Sequence, residues 1–144
     1  MNREIKFRGR SEYGAFVYGD LIQYENGDVA ILEKKLTKYG CEATEICKRT
    51  KVNAKTVGQF TGLCDKNNKE IYEGDILMCI GQREDNKGRK YLRKVLFKNG
   101  SFCMNVPEYN VDSYLHHHIV NGELGWEVIG NIHDNPELLK GGAK

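Results

Sequence analysis

The stretch that decides the fold runs from Val57 to Leu77: V-G-Q-F-T-G-L-C-D-K-N-N-K-E-I-Y-E-G-D-I-L. Gly58 and Gly62 bracket Gln59-Phe60-Thr61, and glycines inside a strand pattern mark a bulge or a close approach of backbone. Asp65-Lys66-Asn67-Asn68-Lys69 follows as a turn-forming loop, because Asp and Asn side chains bond their own backbone and tolerate left-handed conformations. Ile71 and Tyr72 resume the apolar run, Glu73-Gly74-Asp75 makes a second turn, and Ile76 to Ile80 reads as another strand. The run D-K-N-N-K-E imitates the start of a calcium loop. However, Lys69 stands at the fifth position, Glu70 where the glycine belongs and Ile76 where a bidentate Glu is required. The segment G-Q-F-T-G lacks the spacing of a phosphate-binding P-loop. The stretch therefore predicts strands, two turns and a bulge, and neither calcium nor nucleotide.

Working outward, two Asn-Gly pairs supply further hairpins. At Asn99-Gly100 a two-residue turn sets Lys98 opposite Ser101, Phe97 opposite Phe102, Leu96 opposite Cys103 and Val95 opposite Met104. Val95, Phe97, Phe102 and Met104 then share one face, and cross-strand pairs of this kind contribute roughly 0.2–1 kcal/mol each. At Asn26-Gly27 the same turn sets Glu25 opposite Asp28, Tyr24 opposite Val29 and Ile22 opposite Ile31, with a mildly unfavourable like-charge pair next to the turn. Ile5 and Phe7 alternate with Lys6 and Arg8 as a first strand, which Gly9-Arg10-Ser11-Glu12 breaks, and Ala15 to Tyr18 returns as a second. From Glu33 to Lys55 no clean period of two or 3.6 appears. That segment reads as a loop with an edge strand, or as a short helix near Ala43 to Lys48. Residues 107–125 read as a long insertion. Trp126 to Ile132 is a last strand, followed by a short helix capped by Asp134 or Asn135, opened by Pro136 and Glu137, and pinned by Leu138 and Leu139.

Several chemistries are set aside by composition and spacing. With 144 residues, 40% hydrophobic and 29% charged, the chain suits one ordinary domain or two small lobes. No run approaches the roughly 18 apolar residues of a membrane span, and the N-terminus has no apolar secretory region. Five cysteines without a C-x-x-C read as reduced thiols in a cytosolic setting. His116-His117-His118 do not suit one metal ion if they lie on a strand, because adjacent side chains point to opposite faces. Asp65, Glu73 and Asp75, with His133 or one of the three histidines, are the best candidates for a hydrolytic site, but the aspartates stand where turns want them. No nucleophile is visibly paired with a base. No catalytic residue, metal or cofactor is assigned.

The charge is uneven. The net charge of +2 alone argues for no polyanion. Between 81 and 98, however, Arg83, Lys87, Arg89, Lys90, Arg93, Lys94 and Lys98 oppose only Glu84 and Asp85. This is the candidate nucleic-acid surface, with Tyr91 and Phe102 as aromatics for base stacking. Against it stands a plainer reading, in which exposed lysines protect a strand edge from other chains.

With these segments in place, the sequence resembles the YopX family of phage and prophage proteins. The blocks that carry the likeness are R-E-I-K-F-R-G-R (Arg3 to Arg10), T-V-G-Q-F-T-G-L-C-D-K-N-N-K-E-I-Y-E-G-D-I (Thr56 to Ile76), V-L-F-K-N-G-S-F (Val95 to Phe102) and E-V-I-G-N-I-H-D-N-P-E-L-L (Glu127 to Leu139). Their signature positions are Gly58, Gly62, Asp65, Glu73, Gly74, Asp75, Gly100, Gly130, Asn131, Asn135 and Pro136, read as structural. Asn67-Asn68 stands where the family usually has asparagine-glycine, and Asn tolerates positive φ there. The resemblance implies a mainly β fold with a barrel-like C-terminal part, in the cytoplasm of a bacterial host, and it supplies no activity. The expectation is a hairpin lobe over 1–56, an SH3-like barrel over 57–140 ending in a short helix, and a frayed tail over 141–144. The expected role is a non-enzymatic binding module for nucleic acid or a phage or host protein. The alternative is a self-associating assembly factor, joined through an exposed edge strand or the segment Glu33 to Lys55, which would make the chain a homo-oligomer.

Overall fold

Strands dominate the chain. In order they are β1 (Phe7–Arg10), β2 (Phe16–Gln23), β3 (Val29–Tyr39), β4 (Glu42–Val52), β5 (Gly58–Cys64), β6 (Glu70–Tyr72), β7 (Asp75–Ile80), β8 (Lys90–Lys98), β9 (Ser101–Val106), β10 (Val111–Tyr114) and β11 (Glu127–Asn131), followed by one helix, α1 (Glu137–Gly141). The computed structural model describes residues 1–39, 42–119 and 125–141, with side chains except at 38, 39, 42, 43 and 141. The end of the tail and residues 120–124 of the expected insertion lie outside the described residues. The fold is mainly β, with every described strand pair antiparallel. The chain divides into two units, Met1–Phe60 and Thr61–Lys144.

In the first unit the strand order is β4-β3-β2-β1-β5. Gly9 and Arg10 belong to β1 and do not end it. A Cβ at Gly9 would lie 2.6 Å from Val52 Cγ2, so the glycine lets the strand pass close over that side chain. Likewise β2 is one strand through Gly19. It pairs with β1 up to Gly19 and with β3 from Asp20 onward. A Cβ at Gly19 would meet the Leu32 carbonyl oxygen at 2.1 Å, so only glycine permits this change of neighbour.

The β2–β3 hairpin is shifted by one residue from the sequence reading: Gln23 faces Val29, Ile22 faces Ala30 and Leu21 faces Ile31. Of the turn residues only Gly27 takes a positive φ, at 91°. The Tyr24 N–H donates to the Asp28 carbonyl at 2.9 Å, which closes a three-residue loop rather than a two-residue one. The slip removes the Glu25–Asp28 pairing, and the Asn26 amide reaches the Asp28 carboxylate instead, at 3.2 Å. Leu21 and Ile31 thereby join Val29, Val52, Phe7, Val17 and Val57 in one apolar cluster.

The segment 33–55, illegible in sequence, continues that hairpin. β3 and β4 pair without a bulge from Val29↔Val52 to Tyr39↔Glu42, so Ala43 to Lys48 is strand and not helix. The far end of β4 is tied down by the Ser11↔Val52 bridge and by the Asn53 N–H to the Arg10 carbonyl at 2.9 Å.

In the second unit β5 pairs with β6, and a five-stranded sheet has the order β10-β9-β8-β7-β11. Its core holds Ile71, Leu77, Val95, Met104, Leu115, Ile119 and Trp126. The SH3-like barrel expected over 57–140 does not close among the described residues, because β10 and β11 are the two edges of this sheet. Residues 107–119 give the physical reason. They do not loop out but form β10 between two 3₁₀ turns, Pro107–Tyr109 and Leu115–His117. Leu115 and Ile119 then cover the core together with Trp126. Side chains, rather than a closing ladder, bury the inner face.

The signature residues divide between strands, with Gly58 and Gly62 in β5 and Gly130 and Asn131 in β11, and the turns beside them. Gly62, Asn68, Gly74, Asn99 and Gly100 take positive φ. The Asn99-Gly100 hairpin keeps the register read from the sequence, Lys98↔Ser101 through Val95↔Met104. Buried Asp65 accepts the N–H of Asn67 at 2.8 Å and of Lys69 at 2.9 Å on one oxygen, and that of Val128 at 2.9 Å on the other. Buried Asp75 accepts the Tyr72 N–H at 2.8 Å, across the turn that contains Glu73. A Cβ at Gly130 would sit 2.5 Å from Asn135 Oδ1. That oxygen accepts from the Asn131 N–H at 3.3 Å, and the Asn131 side chain accepts from the N–H of His133 and Asp134 at 3.0 and 2.9 Å. Pro136 enters the first turn of α1, its carbonyl bonded by the Leu139 N–H at 3.3 Å.

Candidate functional site

Two surfaces compete for the role of site. The first is the basic segment. Its loop, between β7 and β8, is closed by backbone bonds from Gly81 to Arg89 at 2.8 Å and from Gly88 to Gly81 at 3.0 Å. Asn86 braces it from inside, accepting the Arg83 N–H at 3.0 Å. Arg83, Lys87, Arg89 and Lys90 all point into solvent from it.

The seven cations do not form one patch. Arg93 lies on the core face of β8, is 7% exposed and donates to Glu108 at 3.0 Å. Lys98 donates to Asp112 at 2.8 Å, and Arg83 lies 3.5 Å from Asp85. Lys87, Arg89, Lys90 and Lys94 carry no ion pair among the described residues. The aromatics expected to stack on bases are engaged within the fold. The Tyr91 ring has Arg89 at 5.1 Å and Arg93 at 5.4 Å. Phe102 packs edge-on against Phe97 with centroids 5.2 Å apart. Both rings are half-buried and pack on the core.

Of the carboxylates considered for hydrolysis, Asp65 and Asp75 accept backbone N–H groups, as described, and the His133 ring lies against the Glu73-Gly74-Asp75 turn, where a Cβ on Gly74 would be 3.6 Å from its Nε2. The three histidines lie on the 3₁₀ turn that follows β10, so their directions differ from those on a strand. His116 and His117 are exposed and pack ring to ring at 4.3 Å, with Tyr114 stacked on His116 at 5.7 Å. His118 turns inward. Its Nε2 lies 2.9 Å from Ser113 Oγ, and its ring meets Trp126 edge-on at 6.4 Å. Burial pushes its pKa below the ordinary 6.5, helped by the neighbouring charges of His117 and Arg93. No group of three metal-ligating side chains occurs among the described residues.

The second surface lies in the segment Glu33 to Lys55, which the sequence offers as a seat of self-association without showing its strands. β2 pairs with β3 only over Val29 to Leu32. From Glu33 to Tyr39 on one strand, and from Glu42 to Lys48 on the other, β3 and β4 pair only with each other. This two-stranded arm exposes Leu36 at 75% and Ile46 at 52%. Leu36 stands opposite Glu45, and Ile46 opposite Lys35, so the two apolar side chains lie on opposite faces of the ribbon. At the root of the arm is a groove of about 570 Å³, lined by Ile5, Tyr18, Leu32, Lys35, Ile46 and Lys48. The Cys47 thiol is exposed, yet partial desolvation by its neighbours, aided by the Glu45 charge, holds its pKa above the ordinary value, so it is no activated nucleophile.

The comparisons with known proteins bear on the chain as a whole. The profile of the family described as YopX protein matches residues 6–140. The chain belongs to the YopX family. Among solved structures, this YopX chain is similar to the crystal structure of protein EF1440 from Enterococcus faecalis. The TM-score is 0.64 and the identity 22%, over 96% of this chain and 99% of that one. At that identity the likeness is one of fold. Comparison of the YopX chain with curated proteins finds no match. No helix among the described residues is long and apolar enough to cross a membrane.

Proposed function

We propose that this YopX chain is a non-enzymatic binding module that engages a protein partner through the β3–β4 arm, in the cytoplasm of a bacterium that carries the phage or prophage. One observation carries the reading: the arm has exposed Leu36 and Ile46 on opposite faces, at positions where neither strand has another neighbour in its sheet. A two-stranded ribbon is marginal by itself in water, and its unpaired strand edges are a ready template for another chain. The test is capture of partners from phage-infected or prophage-carrying cells by the tagged chain, beside a Leu36→Asp, Ile46→Asp variant and with nuclease treatment as a control. The reading expects a captured protein that survives nuclease and disappears with the variant. Capture that ignores the variant and vanishes with nuclease overturns it.

That second outcome belongs to a nucleic-acid reading, favoured by the loop cations Lys87, Arg89 and Lys90, which are exposed without an acidic partner among the described residues. It requires affinity that falls steeply with salt and a shallower slope in Arg89→Ala, Lys90→Ala.

A further inference from the structure

We propose that the partner seated on the arm is a second copy of this chain, added strand to strand along the free edge of β4, with Cys47 facing Cys47 across a two-fold axis. This rests on the reading of the arm as a protein-binding element and names its occupant. From Thr44 to Thr50 the edge is open and regular, and the Ser11↔Val52 bridge closes it beyond. β4 ends its sheet, its ladder to β3 has no bulge, and every residue from Thr44 to Arg49 is exposed. No proline interrupts the strand, so the outward N–H and C=O groups form a continuous template for another strand.

Charge selects the occupant and the register. A strand paired antiparallel with its own copy across a two-fold axis sets one residue opposite itself, and the residues on either side of it opposite each other's equivalents. Centred on Cys47, Glu45 stands opposite Arg49 of the second copy, and the symmetry makes this pair twice. Ile46 lies opposite Lys48, whose methylene stem covers apolar surface while its ammonium stays in water. Thr44 stands opposite Thr50, and no like charges meet. Neither Glu45 nor Arg49 has an ion pair within the chain among the described residues, although the Arg49 guanidinium donates to the Tyr24 hydroxyl at 3.0 Å.

The neighbouring registers are poorer. Centred on Glu45, two carboxylates face each other, and centred on Lys48, two ammonium groups do. Centred on Ile46, neither Glu45 nor Arg49 meets an opposite charge. The free edge of β3 is poorer too. Its middle residue is Leu36, and pairing about Leu36 sets Lys34 opposite Lys38 twice. Lys34 is moreover already bound to Asp20.

The experiment is sedimentation of the full chain under reducing conditions, in four forms: unchanged, Glu45→Arg, Arg49→Glu, and the two together. The expected result is a concentration-dependent dimer that each single change weakens by about tenfold or more, since each turns two attractive pairs into repulsive ones. The double change restores it, because the pairs re-form with their signs exchanged. Glu45→Arg serves as the control for folding, as it disturbs no bond to Tyr24. A short bis-maleimide should join the unchanged chain through a peptide containing Cys47 from each copy. Overturning results are a monomer at every concentration, a dimer indifferent to the single changes, or losses that add in the double variant. In any of these cases the loss or retention of partner capture by the Leu36→Asp, Ile46→Asp variant still decides the wider reading of the arm.

Discussion

In the β8–β9 hairpin, Val95 and Met104 face each other at 1% and 0% exposure. In the β3–β4 arm, which is at least as long, Leu36 and Ile46 stand in water. Both are regular antiparallel ladders, and local strand geometry does not separate them. The difference lies in what covers them. Leu115, Ile119 and Trp126 pack onto the inner face of the β8–β9 sheet, whereas beyond Leu32 the arm's sheet consists of β3 and β4 alone. A covered hairpin uses its apolar residues to stabilise its own unit. An uncovered two-stranded one, marginal alone in water, leaves them exposed.

Truncation is the sharpest way to break that comparison. Met104→Ala should destabilise the second unit by about 2–5 kcal/mol, the range for buried large-to-small changes that leave a cavity, read by denaturant unfolding. Asp65→Ala should cost about 2–4 kcal/mol, because it strips an acceptor from three backbone N–H groups in one step, and the loss should exceed that of Asp65→Asn. A smaller effect belongs to His118. The unfolded chain takes up its proton near pH 6.5, while the folded chain takes it up only at lower pH. The folded state is therefore penalised as the pH falls through and below that value. Stability of the unchanged chain should drop over that window relative to His118→Gln, measured as the midpoint of thermal unfolding. The smallest change in stability should come from Leu36→Ala, within about 0.5 kcal/mol of the parent. A loss comparable to that of Met104→Ala would mean that the arm is covered after all.

The same contrast accounts for what the sequence disclosed. The Asn99-Gly100 register was legible because one face of the hairpin is buried, and a one-residue slip would expose Val95 and Met104. The arm was illegible for the converse reason: alternation records the burial of one face, and with neither face covered, Leu36 and Ile46 fall out of phase. At Asn26-Gly27 the dipeptide was read as a two-residue turn, but a loop with a single positive φ, at Gly27, suits the same residues. The turn aspartates were read from their loop chemistry, yet nothing in sequence could link Asp65 to Val128. The basic segment misled in part, because charge counting does not reveal that Arg93 alternates onto the core face of β8 and is neutralised by Glu108.

The bond from Val128 to Asp65 joins residues 63 positions apart, and it therefore sets an order of events during synthesis. At roughly 5–20 residues per second, the ribosome delivers Asp65 several seconds before the strand that completes its coordination. Until then that carboxylate can organise only its own loop, and β7 lacks its β11 neighbour. The ladders of residues 1–60 need nothing made later. The first unit is thus able to form while the second is still being translated, and the arm is presented to other chains before the molecule that carries it is finished.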